Sequence, residues 1–122
     1  MNKIKLLSAL LAIFLLAFCL CSCGGGEEDK LISKYQSPDG EYTLYFYQVG
    51  DPQWSFGSVG AKLLLKNSDG KTVDEEEFSL QNDGGNADIS NVSAISWSYS
   101  SVKVNFIEFD TTNILEFTLD YN

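Results

Sequence analysis

The chain has 122 residues, 17 acidic and 8 basic side chains, no histidine and a formal net charge of −9. Without histidine there is no Ser-His-Asp or Cys-His catalysis and no imidazole-ligated zinc. So acidic a surface repels phosphate backbones and argues against nucleic acid as a partner. In chain order, the first element reads as an address. Met1-Asn2-Lys3-Ile4-Lys5 carries two positive charges, and Ser8 is the one strongly polar residue in the stretch 6–20 that follows. That apolar stretch makes roughly 22 Å of helix. It is shorter than the ~20 residues a bilayer core requires and matches the h-region of a secretory signal peptide.

The next residues are Leu20-Cys21-Ser22-Cys23-Gly24. They resemble the bacterial lipobox, a leucine and two small residues before the cysteine that receives lipid, although Cys21 departs mildly from the usual Ala, Ser or Val. Cys19 and Cys21 follow the bulky Phe18 and Leu20, whereas Cys23 follows Ser22, which suits the small-residue preference of the peptidase. The resemblance implies cleavage between Ser22 and Cys23, a diacylglyceryl thioether on Cys23, and often a further acyl chain such as palmitate on the new amine. At about 0.8 kcal/mol per buried methylene, one chain binds a bilayer reversibly and two or three hold almost permanently. The expected location is the outer, extracytoplasmic face of the cell membrane, with membrane lipid as the first partner. An ordinary signal peptide or an uncleaved anchor helix is the plainer alternative.

Removing residues 1–22 leaves 100 residues with six lysines, and a charge of −11. That length makes one small domain, too short for two cores. Cys19 and Cys21 leave with the signal and Cys23 carries lipid, so the exported domain has no thiol for a disulfide or a nucleophile. Gly24-Gly25-Gly26-Glu27-Glu28-Asp29-Lys30 combines backbone freedom with mutual repulsion. It predicts a flexible acidic tether over 23–33 and a folded domain over 34–122.

The domain reads as strands. Tyr42-Thr43-Leu44-Tyr45-Phe46-Tyr47-Gln48-Val49 is aromatic and β-branched on both faces, after the turn Ser37-Pro38-Asp39-Gly40. Val59, Ala61, Leu63 and Leu65 alternate with Lys62 and Lys66, giving a strand with one core face. Asn67-Ser68-Asp69-Gly70 turns into 72–80, where Phe78 and Leu80 face inward. A strand over 92–97 turns through Ser98-Tyr99-Ser100-Ser101 into Val102, Val104 and Phe106. The last strand, 113–121, sets Leu115, Phe117, Leu119 and Tyr121 on one face. The fold class is therefore all-β: a single small antiparallel sandwich, or a strongly curved meander, of about six strands. Fourteen of the sixteen aromatic residues remain after the signal is lost, enough apolar area for two layers.

Candidate chemistry is sparse. Asp51-Pro52-Gln53-Trp54-Ser55-Phe56-Gly57 places two large aromatics in a loop, where Trp54 and Phe56 either anchor a partner or cap the end of the sandwich. Trp97, beside Ile95, reads as core. Asp83, Asn86 and Asp88 are oxygen donors in a glycine-bearing loop, yet lack the alternation and terminal glutamate of an EF-hand. Asp74-Glu75-Glu76-Glu77 points alternate carboxylates to opposite faces of a strand, so it reads as a solvated edge rather than a cation site. No spacing singles out a pair of carboxylates for acid-base work, and no base is evident to activate a serine or tyrosine. No cofactor and no metal are expected.

Ser37-Pro38-Asp39-Gly40-Glu41-Tyr42 looks like a blade-opening turn of β-propellers, but four blades of about 40 residues exceed this length. As an ordered set, Ser-Pro-Asp-Gly at 37–40, Trp54-Ser-Phe-Gly-Ser-Val at 54–59, Leu64-Leu-Lys-Asn at 64–67, Phe78, Asn82-Asp-Gly-Gly-Asn at 82–86 and Trp97 resemble small lipoproteins and exported proteins of Gram-positive bacteria. That group has no assigned activity, so the resemblance implies location and fold and no residue roles. The leading expectation is a non-enzymatic binding module for a protein or an envelope polymer. An inhibitor or immunity lipoprotein against a secreted toxin or hydrolase is the alternative, and a carboxylate-dependent hydrolase a remote one.

Overall fold

The computed structural model describes residues 29–52 and 57–122. The expected signal peptide, the expected cleavage point between Ser22 and Cys23, the expected lipidation site Cys23 and the aromatics Trp54 and Phe56 lie outside the described residues. Seven strands follow one another: β1 (Lys30–Gln36), β2 (Tyr42–Val49), β3 (Val59–Asn67), β4 (Thr72–Leu80), β5 (Val92–Trp97), β6 (Ser101–Ile107) and β7 (Ile114–Asp120). One turn of 3-10 helix, Ile89–Asn91, precedes β5. The strands form a four-stranded sheet, β1-β2-β3-β4, and a three-stranded sheet, β5-β6-β7. Every pairing is antiparallel and every neighbour in a sheet is a neighbour in the chain, so two meanders make a small sandwich.

The alternation of β3 dictates the packing. Val59, Ala61, Leu63 and Leu65 are all buried, and with Leu44 and Phe46 of β2 they meet Val102, Val104 and Phe106 of β6. Phe106 is the pivot between the layers. Its ring lies edge-on to Phe46 at 5.0 Å and tilted against Phe78 at 4.9 Å, while Phe78 reaches Phe117 of β7 at 4.3 Å. Each fully buried side chain of this size contributes about 1.5–3 kcal/mol. Cohesion of this kind joins the sheets without a disulfide, since the described residues include no cysteine.

The strand count differs from the sequence expectation by one, and the extra strand is β1. Residues 30–33, expected in the tether, pair with β2: Lys30 lies opposite Gln48, Leu31 opposite Tyr47 and Ser33 opposite Phe46. A bulge between Leu31 and Ser33 breaks the period-two pattern, and it lets Ile32 pack against the core. The sheet thus begins four residues before the expected boundary at 34. At the β2–β3 connection, a side chain on Gly60 would bring its Cβ within 2.7 Å of the Val49 carbonyl oxygen, so only glycine fits the close approach.

The acidic run lies on β4, an edge of the larger sheet. Glu75, Glu76 and Glu77 are exposed, but Asp74 does more than repel neighbours. Its Oδ2 accepts a hydrogen bond from the Asp120 N–H at 2.9 Å, tying β4 to β7 across the open side of the sandwich.

Up-and-down connectivity gives the molecule two distinct ends. One, called the tether end after the tether expected before β1, gathers the start of β1 with the β2–β3, β4–β5 and β6–β7 connections. The far end gathers the β1–β2, β3–β4 and β5–β6 turns with the close of β7.

Candidate functional site

The tether end is the most polar part of the interior. Asn91 is fully buried; its Oδ1 accepts from Asn82 Nδ2 at 2.8 Å and from the Asp88 N–H at 3.0 Å. Its Nδ2 donates to Asn82 Oδ1 at 3.0 Å and to the Ile107 carbonyl at 2.7 Å. Gln48, buried on the inner face of β2, accepts from the Ala87 N–H at 2.8 Å and donates to the Gly50 carbonyl and to Asn86 Oδ1. Glu108 accepts from the Gln81 N–H at 2.7 Å and from the Thr111 hydroxyl at 3.0 Å.

This network separates the three residues considered for a cation. The Asn86 side-chain oxygen takes its hydrogen bond from Gln48. Asp88 caps the 3-10 turn, accepting from the Ser90 N–H and hydroxyl, and those bonds hold its carboxyl below the usual carboxylate range. Asp83 stands exposed at φ 54°. Among the described residues no group of three or more His, Cys, Asp and Glu side chains is arranged to hold a metal ion. Asn86 and Asp88 brace the loop, and Asp83 makes no side-chain hydrogen bond among the described residues.

The outer face of the four-stranded sheet is organised differently. The register sets Tyr47 opposite Lys62, Tyr45 opposite Leu64 and Thr43 opposite Lys66. On the other side, β1 brings Lys34 opposite Tyr45 and Gln36 opposite Thr43. The Tyr45 and Tyr47 rings stack along the strand at 6.2 Å, with the Lys66 ammonium 5.3 Å from the Tyr45 centroid and the Lys62 ammonium 5.3 Å from that of Tyr47. Lys62 also forms an ion pair with Asp29; that hydrogen bond raises its ammonium above the ordinary lysine value, with Glu77 and Glu75 adding to the effect. Lys34, Gln36, Thr43 and Tyr45 line a cavity of about 300 Å³ on this face. Side chains that reach across strands in this way hold one another in place, through cross-strand pairing and cation–π attraction.

At the far end, Ser37, Pro38, Asp39, Trp97, Ser98 and Tyr121 line a smaller cleft of about 190 Å³. The Tyr121 ring stacks on Tyr42 at 4.2 Å and 15°, and its hydroxyl donates to the Ser98 carbonyl at 2.7 Å. Trp97 packs against the core, as its sequence setting suggests, and also forms part of this cleft.

Compared with models of known protein families, with curated proteins and with solved structures, the chain matches none of them. The functional reading therefore rests on geometry. Sequence reasoning did not single out the tyrosine–lysine face, although its signal was present. Tyr45 and Tyr47 share one face of β2, and Lys62 and Lys66 share one face of β3. Pairing β2 with β3 in the observed register makes those two faces one surface.

Proposed function

We propose that the protein is a membrane-anchored, non-enzymatic binding module at the outer face of the cell membrane, holding an anionic, sugar-bearing envelope polymer on the outer face of its four-stranded sheet. The interleaving of Tyr45 and Tyr47 with Lys34, Lys62 and Lys66 carries this reading. In a chain of net charge −9, Lys34, Lys62 and Lys66 gather on one sheet face; Asp29, Glu75 and Glu77 stand beside Lys62, so Lys34 and Lys66 are the cations set apart from those carboxylates. Ammonium groups attract the phosphate or carboxylate of a polymer, and phenol rings offer flat contact area with a polar tip. A polymer presents such groups repeatedly, so weak contacts add along its length.

Lipidation at Cys23 and the tether would bring this face to the envelope, since the tether runs directly into β1, whose Lys34 and Gln36 belong to the face. The partner role considered for Trp54 and Phe56 falls on residues outside those described. The inhibitor reading rests on the net negative charge alone, whereas the face with organised side chains carries lysines. A hydrolase reading gains no paired, buried carboxylates: Glu108 is the one acidic side chain buried among the described residues, and it braces a loop.

Two measurements test the proposal. Mass spectrometry of the membrane fraction should find an acylated Cys23 at the amino terminus; an intact Met1, or unacylated protein in the medium, overturns the anchor. Co-sedimentation with purified cell-wall polymer should show salt-sensitive binding. The double substitution Tyr45→Ala, Tyr47→Ala should weaken it about tenfold at an unchanged fold. Lys34→Gln with Lys66→Gln should flatten the salt dependence. Binding indifferent to both doubles removes the face from the function.

A further inference from the structure

We infer that the cleft at the far end of the sandwich is a receptor for a small alkylammonium group, with Asp39 as counter-charge and Trp97 and Tyr121 as aromatic walls. The inference is independent of the sheet face, which it does not share residues with.

Size sets the first limit. Pockets for drug-sized ligands run to about 300–1,000 Å³, and an apolar cavity of about 150 Å³ admits benzene. At about 190 Å³ the cleft accommodates a small group and excludes a large one.

Hydrogen-bond occupancy sets the second. The three hydroxyl donors that line the cleft are already engaged: Ser37 donates to Asp39 Oδ1 at 2.6 Å, Tyr121 to the Ser98 carbonyl at 2.7 Å, and Ser98 to the Ser101 carbonyl at 2.9 Å. No lysine lines the cleft. An anion would therefore meet a carboxylate and almost no donors. Asp39 Oδ1 also accepts from the Glu41 N–H at 3.0 Å, whereas Oδ2 has no hydrogen bond among the described residues. One oxygen fixes the carboxylate in place and leaves the other for a ligand.

Charge and aromaticity set the third. The bonds from Ser37 and Glu41 hold the Asp39 carboxyl below the usual carboxylate range, so it is ionised at neutral pH. Burial pushes the Tyr121 phenol up, with Asp39 and Tyr42 adding to it, so the ring stays neutral. A carboxylate beside a tryptophan and a tyrosine is the combination that attracts an organic cation, by Coulomb attraction and by the quadrupole of the rings. The walls are preorganised, since Tyr121 is stacked on Tyr42 and Trp97 is packed against the core.

The test titrates the full-length protein with choline and, separately, with its uncharged isostere 3,3-dimethyl-1-butanol, following amide shifts of residues 37–41 and 97–101 and the Trp97 indole. Choline should give saturable shifts confined to this end, and the isostere none at the same concentration. Asp39→Asn keeps an acceptor for the turn and removes the charge; it should weaken choline about fivefold, the scale of a partly exposed charge pair. No saturable response to choline, an equal response to the isostere, or an unchanged affinity in Asp39→Asn each overturns the inference.

Discussion

Where β4 leads into β5, Asn82, Asn91, Gln48 and Glu108 are buried, and each has hydrogen-bond partners inside the molecule. Where β5 turns into β6, Trp97 and Tyr121 stand beside Asp39 around an open cleft. The tether end contains the loop richest in potential ligands, yet its buried donors and acceptors face one another. The far end is built from short, ordinary turns, yet it leaves a carboxylate oxygen and two aromatic rings facing solvent. Polar composition alone does not mark a binding site; unengaged polar groups beside aromatic surface do.

The largest expected effect lies at the tether end. Asn91→Ala would leave Asn82 Nδ2 and Oδ1, the Asp88 N–H and the Ile107 carbonyl each without a bond they now make. Orphaned buried groups cost about 1–3 kcal/mol each, and partial relaxation of the loop leaves an expected loss of roughly 3 kcal/mol in unfolding free energy. Urea denaturation reads this directly. A loss below about 1 kcal/mol would mean that water replaces the side chain and that the two ends are less different than their hydrogen bonds indicate.

The far end should respond less. Tyr121→Ala removes the stack on Tyr42 and the bond to the Ser98 carbonyl. Aromatic pairs contribute about 0.5–1.5 kcal/mol beyond area burial, and Tyr121 is only half-buried. An expected loss of roughly 1.5 kcal/mol in the same measurement sharpens the contrast, and a loss equal to that of Asn91→Ala would erase it.

How much of this was legible in the sequence follows from the range of each interaction. The core face of β3 can be read from Val59, Ala61, Leu63 and Leu65 alone, and the edge position of β4 from the repulsion among residues 74–77. The all-β class follows from such local patterns; the choice between a sandwich and a curved meander is made by the division into two sheets. β1 was hidden because its first residues continue an acidic, glycine-rich stretch of sequence and its bulge at Ile32 masks the alternation. The inward direction of Gln48 is implied by Leu44 and Phe46 on the same face. Its partner Ala87 is 39 residues away, and only the packing of the β4–β5 connection reveals it. Asn86 and Asp88 resemble ligands by type; that Gln48 takes the Asn86 side-chain oxygen and Ser90 one oxygen of Asp88 is a fact of three dimensions. The cleft joins the β1–β2 turn of one sheet to Trp97 and Tyr121 of the other. No local pattern in a single chain predicts which turn of one sheet will meet which strand end of the other.

Acid provides the smallest effect and the one in which the two ends should behave alike. Asp88 at the tether end and Asp39 at the far end each brace a turn with one carboxylate, and both carboxyls are held below the ordinary value of 3.8 by hydrogen bonds from a serine hydroxyl and a backbone N–H. A carboxyl with a lowered folded-state pKa binds its proton more readily when unfolded. Its stabilising contribution is therefore complete above the unfolded value, and it fades as pH falls below 3.8 through the folded value. Both side chains are solvent-exposed, so screening keeps each contribution small. Asp88→Asn and Asp39→Asn should each lower stability slightly at neutral pH and flatten its decline below pH 3.8, without shifting the decline elsewhere. Stability followed against pH by thermal melting checks this. If Asp88→Asn flattened the curve and Asp39→Asn did not, the far-end turn would owe its shape to Pro38 and Gly40, and Asp39 would be placed for something other than holding the fold.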